Sequence, residues 1–153
     1  MSINIDSALA DFRQTLPFAG LDAKSIQFEL IDRGCPHVPP ALPSGKMAVY
    51  IFALADRVLK VGKVGPNSRP RFRTQHYVPG SSPSNLAKSL LADETSDCRS
   101  ISEDEIGSWM QQKLHRMDIL LDSNVGVAVL AYLEAFLHCR LRPVYEGFKS
   151  QKA

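Results

Sequence analysis

The chain has 153 residues, 44% of them hydrophobic and 22% charged, a composition that fits one globular domain and excludes a disordered, collagenous or coiled-coil chain. Its formal net charge of +2 is too mild to require a nucleic-acid partner by itself. The longest apolar run, 125–136, contains Gly126 and Glu134 and falls short of the ~20 residues of a membrane span. The opening stretch MSINIDSALADF has no apolar signal core, and the three cysteines, Cys35, Cys98 and Cys139, form no CxxC pair. These features predict a cytoplasmic protein with reduced thiols and no membrane partner.

In chain order, residues 5–16 read as a helix capped by Asp6 or Ser7, with Leu9, Phe12 and Leu16 at helical spacing. Residues 25–31 alternate Ile26, Phe28 and Leu30 and predict a strand. Four prolines from Pro36 to Pro43 make 34–46 a stiff connector. Residues 1–46 therefore read as an appendage with its connector. Residues 47–54 and 58–64, separated by a short turn at Asp56-Arg57, predict an antiparallel hairpin. After the break at Gly65-Pro66-Asn67-Ser68, residues 69–77 read as a basic helix with Pro70 in its first turn. Ser84 caps a helix through Leu91, and the capping box Ser102-Glu103-Asp104-Glu105 opens another through about Lys113, carrying Trp109 and Met110 as core or partner-facing residues. Residues 115–122 predict a third strand of this domain. Residues 126–141 predict the strongest helix, which Pro143 ends. The resulting fold class is α/β: a three-stranded, mainly antiparallel sheet flanked by helices over 47–147, with an N-terminal helix-strand appendage and a tail at 148–153.

Charge is distributed unevenly along this order. Residues 57–92 hold seven basic side chains (Arg57, Lys60, Lys63, Arg69, Arg71, Arg73, Lys88) and no acidic one, whereas 93–105 hold six acidic side chains and only Arg99. The first segment suits an anionic partner, and a solvated basic face would look the same. In the last helix, Val127, Leu130, Glu134, Leu137 and Leu141 share one face. A carboxylate on an apolar stripe must reach water, find a cationic partner or bind a metal. Tyr50, Lys60, Arg71, Arg73, His76 and Tyr77 would converge if the hairpin packs on the basic helix. That set suits a phosphodiester, because arginine clamps phosphate and stabilises transition-state charge, and a cation beside a phenol makes it a better base. Cys35, His37, His138 and Cys139 match no zinc spacing, and Gly62-Lys63-Val64-Gly65 is not a phosphate-binding loop.

The order Ala48-Val49-Tyr50, then Lys60-Val61-Gly62-Lys63, then the arginines, then Leu133-Glu134-Ala135 with Arg142-Pro143-Val144-Tyr145 resembles the GIY-YIG nuclease superfamily, its final helix being similar to that of the excision-repair members. The resemblance implies an endonuclease acting on DNA with Mg2+ or Mn2+. It implies Tyr50 as general base and Arg71 or Arg73 as catalytic arginine. Spacing from Val61-Gly62 favours Arg71, whereas Arg73 has Tyr77 four residues on. His76 falls where members often carry histidine, and Glu134 is implied as the metal ligand. Lys60 stands where most members have tyrosine, and a subset of restriction enzymes in the superfamily also has lysine there. Lys63, Arg69 and Tyr77 are the expected nucleic-acid contacts. Ala48 replaces a glycine, and Glu146 lies near the place of a late asparagine. The alternative is a degenerate module that binds DNA or a protein without cleavage. Strong site specificity would call for inserted loops or a homodimer.

Overall fold

In the computed structural model, which describes residues 3–81 and 85–145, the chain opens with helix α1 (Ile5–Thr15). Its cap is Asn4 rather than Asp6 or Ser7. The Asn4 side-chain oxygen accepts the Ser7 N–H at 2.9 Å, satisfying an amide that the first helical turn leaves open. Ile5, Ala8, Leu9 and Phe12 are its buried face.

Strand β1 (Glu29–Gly34) begins later than the alternation at 25–31 suggests. It pairs antiparallel with β4 (His115–Asp122), placing Ile31 opposite Asp118. The sheet therefore has four strands among the described residues, not three, because the N-terminal segment supplies an edge. The predicted hairpin is β2 (Lys46–Leu54) and β3 (Arg57–Val64), with Tyr50 opposite Gly62 and Phe52 opposite Lys60. β4 also pairs with β2, placing Asp118 opposite Tyr50 and Arg116 opposite Phe52. All pairs are antiparallel, in the order β1-β4-β2-β3.

Alternation along these strands makes two cores. Met47, Val49, Ile51, Val61, Ile119 and Leu121 face α1 and the last helix, α4 (Val127–Leu141). Phe12 joins the two helices, its ring 4.9 Å from that of Tyr132 and 5.2 Å from that of Phe136. Tyr50, Phe52 and Leu120 face the other way, against α2 (Leu86–Ala92) and α3 (Ile106–Lys113). Met110 is buried there and Trp109 packs beside it. No helix among the described residues is long and apolar enough to cross a membrane.

The basic segment differs most from expectation. Instead of a regular helix over 69–77, it forms a π-helical turn at Arg71–Gln75. Within it the Phe72 carbonyl accepts a hydrogen bond from Arg116 of β4. Asn85, not Ser84, caps α2, its side chain accepting the Lys88 N–H at 2.9 Å. Ser84, Glu146 and the tail at 148–153 lie outside the described residues.

Candidate active site

Tyr50 occupies the centre of the middle strand, flanked by Gly62 of β3 and Asp118 of β4. Its ring lies directly over Gly62. A Cβ at that glycine would stand 2.5 Å from Tyr50 Cζ, and nearer still to the hydroxyl. The glycine of the Val61-Gly62 motif is thus required by the phenol across the ladder. Lys60 is two residues from Gly62 on the same side, diagonal to Tyr50, a separation of ~7 Å that long side chains can bridge. Tyr50 and Lys60 are both fully buried, at 0% and 1% exposure.

The π-helical turn brings His76 to this pair. The imidazole lies 4.4 Å from the Tyr50 ring and 5.8 Å from that of Phe52, between centroids. Burial, reinforced by the positive charges of Lys60, Arg116 and Arg71, lowers the His76 pKa from 6.5 to about 2. The ring is neutral near pH 7, and neither nitrogen hydrogen-bonds to a described residue. Buried polar atoms without partners are uncommon and concentrate at functional sites.

The two arginines that spacing left open differ in their surroundings. Arg71 is the last contributor to the lowered His76 pKa, after burial and the charges of Lys60 and Arg116. Arg73 instead lines, with Arg69, a groove of about 450 Å³ walled by Ala41 and Leu42 of the connector and by Pro70 and Thr74. All three arginines are exposed.

Glu134 approaches from α4, on the sheet face opposite Tyr50. Its Oε2 is ion-paired with Lys63 Nζ, the residue after Gly62. The carboxylate side chain is 15% exposed and the lysine 41%. The phenol and this ion pair therefore abut adjacent β3 positions from opposite faces. Among the described residues no cluster of three or more His, Cys, Asp or Glu could enclose a metal. A single carboxylate fits a hard cation whose other ligands are water and substrate phosphate. Glu134 fits that role if Lys63 yields its oxygen.

Tyr77 is 6% exposed and turns away from solvent. Its hydroxyl meets Arg116 Nη1 at 2.9 Å and His37 Nε2 at 2.8 Å. Arg116 and Asp118, both at 0% exposure, form a buried ion pair at 3.0 Å, and Arg33 donates to the second Asp118 oxygen at 2.9 Å. Sequence reasoning passed over Arg116 and Asp118 as ordinary strand residues. Two opposite charges at i and i+2 on an apolar strand were the available signal. His37 belongs to this network and not to a zinc site. Cys35 and Cys139 are exposed and unbridged.

No family model, no curated protein and no solved structure matches the chain.

Proposed function

We propose that the chain is a metal-dependent endonuclease that hydrolyses DNA phosphodiester bonds by in-line attack of water, the chemistry its resemblance to GIY-YIG nucleases implies. One observation carries the reading. The rings of Tyr50 and His76 meet at 4.4 Å, the imidazole nitrogens bond no described residue, and burial with the positive charges of Lys60, Arg116 and Arg71 lowers the imidazole pKa. A phenol beside a neutral imidazole in a positively charged setting suits deprotonating water and holding a phosphate.

Each residue has a role in this reading. Tyr50 takes the proton from the attacking water, and Lys60 stabilises the phenolate that a base requires. Arg71 holds the phosphate and the negative charge that grows on it. His76, neutral near pH 7, orients water or a phosphate oxygen through a hydrogen bond and carries no charge. Arg69 and Arg73 guide the DNA backbone along the groove they line. Glu134 would hold Mg2+ or Mn2+, and because it lies on the face opposite Tyr50 beside edge strand β3, such an ion would shield the leaving oxygen of a substrate bound across that edge. Lys63, once released from Glu134, is free to meet a backbone phosphate.

A second reading rests on burial. Tyr50, Lys60 and His76 are each at most 1% exposed, and a module that only binds nucleic acid or a protein has no need to expose them. The two readings separate in one assay. Supercoiled plasmid and single-stranded oligonucleotides are incubated with the chain and Mg2+ or Mn2+, with and without chelator. Chelator-sensitive nicking is expected. Binding without cleavage of either substrate supports the second reading.

A further inference from the structure

The buried ion pair of β4 does more than fill space. Arg116 spends its guanidinium on three different partners: Nε on Asp118 at 3.0 Å, Nη1 on the Tyr77 hydroxyl at 2.9 Å and Nη2 on the Phe72 carbonyl at 2.9 Å. Two of these three belong to the basic segment. The guanidinium also lies 4.6 Å from the Phe72 ring centroid and 5.2 Å from that of Phe52. One side chain therefore grips the turn at its start, through Phe72, and just past its end, through Tyr77.

The chain of donors has one consistent direction. Burial lowers the His37 pKa, which keeps the ring neutral. Its Nδ1–H then donates to the Leu114 carbonyl at 2.8 Å, and its Nε2 accepts from the Tyr77 hydroxyl. The Tyr77 oxygen in turn accepts from Arg116. Connector, turn and sheet are thereby linked with the named groups satisfied. The packing is equally tight behind Tyr77, where a Cβ at Gly107 of α3 would stand 2.7 Å from the Tyr77 carbonyl oxygen.

Buried ion pairs are a poor source of stability, because desolvating both charges offsets their attraction. What such a network supplies is a fixed geometry. Here the fixed object is the segment that carries Arg71, His76 and Arg73. We infer that Arg116, acting through the Tyr77 hydroxyl and the Phe72 carbonyl, is a positioning residue that holds this turn for the substrate phosphate, and that Tyr77 itself does not touch nucleic acid. The inference rests on the nuclease reading and goes beyond it by assigning Tyr77 to the scaffold and not to the DNA surface.

The test uses Tyr77→Phe, which keeps the ring and removes the hydroxyl link, with Arg116→Lys as a second variant that keeps the charge and loses the fork. Steady-state cleavage gives kcat and KM, and amide hydrogen exchange reports on residues 68–76 without any substrate. The expected result is a loss of about 10-fold to 10²-fold in kcat at unchanged KM, as for a catalytic group displaced by an ångström or less. Faster exchange confined to the turn should accompany it. A raised KM at unchanged kcat would place Tyr77 on the DNA and overturn the inference. Unchanged kinetics with only a lowered Tm would also overturn it, leaving the network structural. If the unaltered chain cleaves nothing, the nuclease reading falls instead. Exchange then decides the remainder: an unaltered turn in both variants would refute the clamp, and a loosened one would sustain it.

Discussion

The two faces of the sheet are built from alternate residues of the same strands and differ sharply in chemistry. Toward α1 and α4, β2 and β4 present Met47, Val49, Ile51, Ile119 and Leu121. Toward α2 and α3 the same strands present Tyr50, Phe52, Arg116 and Asp118, and β3 adds Lys60. The first face is an apolar core of the kind that supplies stability, each fully buried large side chain contributing roughly 1.5–3 kcal/mol. The second face has an apolar core of its own, with Phe72, Leu86, Ile106 and Met110, and adds buried charges to it. Those charges hold their places only because partners surround them. The contrast is between a face that is apolar throughout and one that mixes apolar packing with buried charge, with Glu134 and Lys63 on the first face at the margin formed by edge strand β3.

The sharpest way to break this division is at that margin. Glu134→Gln should abolish metal-dependent cleavage while the fold persists, because the amide is isosteric yet a poor ligand for a hard cation. Full nicking activity in the variant, with unchanged circular dichroism, would leave Glu134 as no more than the ion-pair partner of Lys63.

Next comes a pair of substitutions, one for each face. Arg71→Ala should lower the cleavage rate by ~10²-fold or more at nearly unchanged stability, since the side chain is exposed and in the proposed mechanism meets transition-state charge. Ile119→Ala, fully buried on the apolar face, should do the reverse, costing about 2–5 kcal/mol in urea unfolding with turnover per folded molecule retained. Arg73→Ala should weaken DNA binding and flatten its salt dependence. A dead Arg73→Ala beside an active Arg71→Ala would reverse the assignment that spacing from Val61-Gly62 favours.

A smaller effect belongs to Lys60. Lys60→Met should reduce cleavage near neutrality, and raising the pH should recover part of the loss, because in the proposed mechanism the cation favours the phenolate of its diagonal neighbour. Altered affinity and salt dependence with an unmoved pH–rate profile would make Lys60 a backbone contact only.

The smallest effect is on stability and is graded with pH. His76 and His37 both have pKa values below the ordinary 6.5 in the folded chain, chiefly through burial. The unfolded chain therefore binds more protons as pH drops below 6.5, and stability present above that value declines. The slope per histidine is at most about 1.4 kcal/mol per pH unit. Urea midpoints between pH 7.5 and 5 should fall accordingly, and His76→Phe should make the decline shallower.

What the sequence disclosed follows its local patterns. The 47–54 and 58–64 hairpin, the 115–122 strand and the helix ended by Pro143 are where alternation, turn residues and periodicity foretold them. The N-terminal strand was legible from its alternation, but its place in the sheet was hidden, because the pairing of β1 with β4 joins residues more than eighty positions apart and nothing near Glu29–Gly34 announces the partner. The π-helical turn was hidden for a related reason: Arg116, forty-four residues on, donates to the Phe72 carbonyl within it. Of the candidate site, Tyr50 and His76 meet ring to ring and Lys60 shares their face of the sheet, while the choice of Arg71 over Arg73 belongs to the proposed mechanism. Tyr77 was expected at the DNA from the family resemblance. Its burial depends on His37 and Arg116, forty and thirty-nine residues away.

The claim that Tyr50 is the general base can be met in one measurement. The rate of Mg2+-dependent plasmid nicking is followed for the unaltered chain and for Tyr50→Phe from pH 6 to 9. The account predicts near-complete loss at every pH in the variant, with DNA affinity retained, since the ring stays over Gly62 and only the proton acceptor is gone. A variant that nicks at an ordinary rate anywhere in that range would contradict it.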